Sequence, residues 1–111
     1  MKKTIAAVVC AAAAALSVQA HAEDAKVLRM ACESTYAPFV FFDSETGKLK
    51  GFEIDLLEYV AKEMGRKLEV TNMGFDAIIP SMLTGITDVG ASAFTITPER
   101  AKRVLFSKPY Y

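Results

Sequence analysis

Arg100, Thr95, Tyr36 and Phe52 are the side chains of this sequence with the right chemistry to hold a small zwitterion. An α-carboxylate is matched by a planar, permanently charged fork, which only arginine supplies. Arg100 lies at the start of a predicted helix, where free backbone N–H groups add to the positive field. An α-ammonium needs acceptors, such as the Thr95 hydroxyl and exposed carbonyls of the small-residue segment before it. Tyr36 or Phe52 would wall off an aliphatic stem and exclude water. Each residue also has a plainer reading. Arg100 fits a solvated surface, Thr95 a strand, Tyr36 a loop packed on the core, and Phe52 a staple beside a helix start. Glu53 and Asp55 fit negative charge in a first helical turn better than acid–base work.

The elements that must position these groups follow from the pattern. Val27 to Cys32 reads as a strand, Val40 to Phe42 as a short apolar run, and residues 43–48 as a polar turn. After Gly51, Ile54, Leu57, Val60, Ala61 and Met64 recur at helical spacing, and Gly65 closes the helix. Lys67 to Thr71 alternates as a second strand. Asp76 is expected to cap a second helix, with Pro80 in or near its first turn and Gly85 at its end. Asp88 to Ala93 is expected as a third strand. Thr97-Pro98-Glu99 opens a short helix, and Val104 to Phe106 forms a short strand. Alternating strands and helices imply a parallel sheet in an α/β fold, with ligands at the carboxyl ends of its strands. The three segments found there are Glu33 to Phe39, Gly51-Phe52-Glu53, and Ser92 to Arg100.

Export is expected before folding. Lys2 and Lys3 precede an apolar, alanine-rich run from Ile5 to Leu16, and Ala20-His21-Ala22 supplies the small residues of a cleavage site. The run is shorter than the roughly 20 residues a membrane span requires. Residues 1–22 are thus assigned to a signal peptide and 23–111 to the mature domain. Loss of Lys2 and Lys3 leaves 11 basic against 13 acidic side chains. The balance of about −2 and the lack of a basic patch argue against nucleic acid as a partner. His21 leaves with the leader, so the mature chain has neither the usual base of a hydrolase nor a nucleophile–base pair. No metal and no cofactor is called for. Cys32, the one cysteine left, cannot form an internal disulfide and reads as a small buried strand residue.

Gly51-Phe52-Glu53-Ile54-Asp55-Leu56, continuing to Val60-Ala61 and Met64, resembles the signature of family 3 extracellular solute-binding proteins, the polar amino-acid receptors of ABC importers. Thr35-Tyr36-Ala37-Pro38-Phe39 is similar to the family's first ligand loop. Thr95-Ile96-Thr97-Pro98-Glu99-Arg100 is similar to its carboxylate-binding segment, and Phe106 to Tyr111 to the run leading toward its hinge. The resemblance implies part of the first lobe of a type II periplasmic-binding-protein fold, the second lobe being absent. It implies a monomer that delivers an amino acid to a membrane permease from the periplasm. It gives Arg100 the ligand carboxylate, with help from Thr95. Thr95 and the backbone around Ala93 receive the ammonium, and Tyr36 and Phe52 sandwich the side chain. Ser92 and Glu33 fall beside the distal part of the ligand, and an acid at position 33 suits a polar or cationic one. A half-site is expected to bind weakly or not at all. The alternatives are an enzyme on the same scaffold, resembling cyclohexadienyl dehydratase, and a truncated product without function.

Overall fold

The computed structural model describes residues 26–111. The leader, its cleavage site and His21 lie outside them. Strand β1 (Val27–Cys32) is the centre of a parallel sheet. It pairs along its whole length with β5 (Lys67–Asn72) and, through Met30 and Ala31, with β6 (Val89–Gly90), in the order β5-β1-β6. A central parallel strand is covered on both faces and therefore reads as a nearly continuous apolar run. Accordingly Leu28, Met30, Ala31 and Cys32 are all buried. Burial raises the Cys32 thiol to about 11, and the nearby Glu53 charge adds to the rise.

The crossover between β1 and β5 carries a small antiparallel sheet of β2 (Thr35–Tyr36), β3 (Val40–Phe42) and β4 (Leu49–Lys50). Asp43 shapes the β3–β4 turn. Its Oδ1 accepts the amides of Glu45 and Thr46 at 2.8 and 3.0 Å, and its Oδ2 pairs with Lys50. Helix α1 (Phe52–Glu63) then lays Ile54 and Leu57 on a core formed by Met30, Cys32, Val40 and Ala91. Of the apolar positions read from the sequence, Ile54 and Ala61 are buried, Leu57 and Val60 half-buried, and Met64, after the helix end, exposed. Helix α2 (Phe75–Leu83) buries Ile78 and Ile79. It packs so close to β6 that a Cβ on Gly90 would lie 2.6 Å from Ile78 Cγ2.

The parallel sheet and the helices hold; the antiparallel sheet of β2, β3 and β4 was not expected, and four local differences accompany it. Helix α2 begins two residues early, with Gly74 as its N-cap and no side-chain cap bond, so Asp76 sits inside the first turn. Pro80 consequently falls beyond that turn, on the exposed face where its ring meets no packed neighbour strand. Strand β6 stops at Gly90 because Ser92 turns to bond Glu33 and Ala93 adopts φ 50°. Val104 to Phe106 is not a strand, and Leu105 is almost fully exposed.

At the other end of the sheet Asp88 takes the Arg29 guanidinium in a two-pronged pair, Nη2 to Oδ1 at 3.0 Å and Nε to Oδ2 at 3.2 Å. Oδ2 also accepts the Arg29 amide at 2.9 Å. These bonds, the guanidinium's first, hold the Asp88 carboxyl below its usual range. A depressed folded-state pKa contributes stability above the unfolded value, about 3.9, and that contribution is lost as pH falls through the folded value. Asp88→Asn is therefore expected to cost about 0.5–1 kcal/mol at pH 7, the range of a partly exposed pair. The gap from wild type should close below about pH 3.9 in urea titrations at several pH values. A gap that persists unchanged at pH 2–3 contradicts this origin.

Candidate ligand-binding site

Parallel pairing puts the carboxyl ends of β1, β5 and β6 at one edge of the sheet, and the loops that follow converge there. Side-chain bonds tie these loops together. Ser34 N donates to Asn72 Oδ1 at 3.0 Å, linking the exits of β1 and β5. Ser92 is fully buried; its hydroxyl accepts the Glu33 amide and donates to the Glu33 carbonyl, each at 3.0 Å, linking the exits of β1 and β6. The Ser92 hydroxyl is thus engaged with main chain rather than facing an opening. Its effect is to fix Glu33, which is half-buried, at the tip of the central strand.

Helix α3 (Pro98–Ala101) presents Arg100. Its start is as the sequence predicts: Thr97 is the cap, its hydroxyl accepting the Arg100 amide at 3.2 Å, and Pro98 opens the first turn. The guanidinium folds back on its own loop. Nη1 donates to the Thr95 carbonyl at 2.8 Å, and Cζ lies 5.3 and 5.5 Å from the ring centres of Phe75 and Phe94. Two aromatic faces and one carbonyl therefore orient a charge whose remaining N–H edge stays available. Thr95 itself is exposed.

The rings near the convergent loops fall into two groups. Tyr36 meets Phe75, at 5.9 Å between centroids, and Phe75 in turn lies 4.6 Å from Phe94. Phe52 belongs to another group, 6.4 Å from Phe39 and 5.9 Å from Tyr110, at the amino end of α1. Phe75 carries no local signal of its place in the first group, since its spacing to Ile78, Ile79 and Met82 is that of a core position. As the first residue of α2, it instead points along the helix toward the convergent loops, where a first-turn residue has no preceding turn to cover.

Ala93 sits between these groups in a left-handed conformation, φ 50°. Its amide donates to both oxygens of the buried Glu53, at 2.9 and 3.2 Å. Glu53 also accepts the Tyr110 hydroxyl at 2.6 Å. Burial, then the bond to Glu53 and its charge, push the Tyr110 phenol well above the usual tyrosine range. Beside Arg100 a hollow of about 310 Å³ opens between the start of α2 (Phe75, Asp76, Ile79) and the α3 segment (Thr97, Glu99, Arg100, Arg103), with Phe94 in its wall. Its two cations and two anions suit a polar, charge-balanced guest more than an apolar one. Among the described residues no group of three His, Cys, Asp or Glu side chains is placed to hold a metal, and no helix is long and apolar enough to cross a membrane.

Residues 28–111 match the family described as bacterial extracellular solute-binding proteins, family 3. The chain is 37% identical over 111 residues to a putative ABC transporter arginine-binding protein 2 of Escherichia coli K12, covering all of this chain and 43% of that protein. It is 38% identical over 103 residues to an octopine-binding periplasmic protein of Rhizobium meliloti, covering 93% and 34%. A crystal structure of the arginine-bound form of domain 1 of TmArgBP, from T. maritima, superposes with a TM-score of 0.75 at 41% identity, covering 78% of this chain and 68% of that one. The chain spans less than half the length of the two curated relatives. The described residues form part of one lobe of this binding-protein fold.

Proposed function

We propose that this chain, which belongs to the bacterial extracellular solute-binding proteins of family 3, captures a free amino acid with a cationic side chain for import by an ABC transporter. The observation that carries the reading is Arg100, held by the Thr95 carbonyl and by the faces of Phe75 and Phe94 where the loops converge. That fork takes the ligand carboxylate. Main-chain carbonyls around Ala93 and the Thr95 hydroxyl take the ammonium. The Tyr36–Phe75 pair offers aromatic faces, which attract cations, and Glu33 stands at the tip of β1 to meet a distal positive charge. The names of the arginine- and octopine-binding relatives support the cationic choice. Capture, rather than reaction, is what the arginine- and octopine-binding relatives are named for.

In this reading residues 1–22 direct export and leave after Ala22, residues 23–111 belong to the first lobe, and the mature chain works in the periplasm as a monomer that docks on a membrane permease. Mass spectrometry of the exported chain should find Glu23 at its amino terminus; a retained Met1 contradicts it.

The arginine-bound first domain of a relative narrows the expectation for the half-site from weak or absent binding to weak binding. Arginine titrated into residues 23–111, followed by amide chemical shifts, is expected to give a Kd of about 0.1–1 mM. Glutamate should bind at least about tenfold more weakly, a difference of roughly 1.4 kcal/mol. Phe75→Ala should weaken arginine by about tenfold, because it removes a ring that holds the Arg100 guanidinium, and Phe52→Ala should weaken it as well, by removing an exposed ring from the wall. No shift at 10 mM arginine, a concentration roughly ten times the upper Kd expected, sinks the reading.

A further inference from the structure

Glu53 is only 1% exposed, and ligand capture as described above makes no use of it. A buried carboxylate is strongly unfavourable unless its oxygens are satisfied. Here the partners come from far downstream. One is the Ala93 amide, at 2.9 Å to Oε2 and 3.2 Å to Oε1; the other is the Tyr110 hydroxyl, at 2.6 Å to Oε1. Glu53 is itself anchored, since its own amide donates to the Phe39 carbonyl at 3.1 Å. Ala93 adopts φ 50°, a region that residues other than glycine seldom enter without an external hold.

The consequences run in both directions along the chain. One residue before Ala93, Ser92 clasps the main chain of Glu33. Two residues after it, the Thr95 carbonyl orients the Arg100 guanidinium. The direction in which the chain leaves Ala93 therefore sets where Arg100 is tethered. Tyr110 meanwhile lies against Phe52, and Tyr111 against Phe39 at 4.9 Å, so the same carboxylate joins the 93–95 turn to the 106–111 run.

We infer that Glu53 is a positioning residue for ligand capture, holding the turn at Ala93 that aims Arg100 and coupling that turn to the 106–111 run through Tyr110. The inference rests on the binding reading above and adds a residue to it. The test compares 15N-labelled wild type, Glu53→Gln and Tyr110→Phe by amide shifts and arginine titration. Glu53→Gln is nearly isosteric but lacks the charge and one of the two equivalent acceptors. It is expected to move the Ala93 to Thr95 and Arg100 amides while leaving Lys67 to Asn72 in place, and to weaken arginine by at least about tenfold. Tyr110→Phe should shift the Ala93 amide less and weaken arginine by about two- to fivefold, because it leaves the Ala93–Glu53 bonds intact.

If wild type binds arginine and Glu53→Gln binds it equally well, the positioning role is overturned while the binding reading stands. If wild type binds no arginine, the binding reading fails, and unmoved 93–95 amides in the variant would overturn the positioning role separately. Shifts spread evenly through β1 and β5 also overturn it, since they mark general loosening. If Glu53→Gln does not fold, the Tyr110→Phe spectrum decides: an unchanged Ala93 amide with unchanged affinity removes the coupling.

Discussion

Arg100→Ala is expected to abolish detectable arginine binding, and Arg100→Lys to do nearly the same. Truncating one partner of a hydrogen-bonded charge pair costs about 2–5 kcal/mol, which moves a Kd of about 1 mM beyond measurement. Lysine keeps the charge but loses the flat fork, and with it both the two-pronged grip on a carboxylate and the stacking on Phe75 and Phe94. Stability should change little, because the Arg100 side chain contributes one exposed bond to a carbonyl and two ring contacts at the surface. The measurement is an arginine titration by amide shifts beside a urea unfolding curve. Retained binding in Arg100→Ala would remove the carboxylate role. Lost binding together with a large fall in the urea midpoint would point to unfolding in its place.

Gly51→Ala is expected to cost about 3–5 kcal/mol, because among the described glycines an added Cβ comes closest to other atoms there. Gly51 has φ 135° and ψ 172°, a region closed to residues with a Cβ. A Cβ there would lie 2.1 Å from the Phe39 carbonyl oxygen and 2.5 Å from its carbon, both main-chain atoms that cannot rotate away. The close approach has a purpose. The first amides of α1 have no partner inside the helix, and Phe52 N and Glu53 N donate to the carbonyls of Pro38 and Phe39 at 3.0 and 3.1 Å. Gly51→Ala would push that loop off the helix end and carry Glu53 with it. Gly65→Ala is the control. It also has positive φ, 68°, but open space around the added atom, so its cost should stay near 1–2 kcal/mol. Equal urea midpoints for the two variants would show that conformation alone, and not the Phe39 contact, decides the effect.

The start of α3 was fully legible in the sequence because its signals are local. A hydroxyl that caps, a proline that opens a turn and an arginine three residues after the cap act within one turn of chain. The strand β1 and the buried face of α1 were legible for a similar reason: apolar period reports which side is covered, whatever covers it. The places of Arg100 at the start of α3 and of Glu33 at the tip of β1 followed from the rule that parallel strands gather their exits at one edge.

Side-chain partnership across the fold was not legible, and the grouping of the rings is one case. Phe52 and Phe75 are both first residues of helices, with the same chemistry and similar flanks. Both helices bring their amino ends to the loops after β1 and β6, but α1 docks on Pro38, Phe39 and Ala93 whereas Phe75 of α2 meets Tyr36 and Phe94, so the two rings stand in different groups. Glu53 went unrecognised for the same reason. A carboxylate in a first helical turn fits a local electrostatic account, and the Ala93 amide and Tyr110 hydroxyl that bury it lie 40 and 57 residues away. The sequence by itself thus determined the elements, the charge types and the edge of the sheet where they meet. The tertiary structure alone decided which rings face one another and which acid is interior, because those depend on the distance between chain segments whose separation along the sequence carries no record of it.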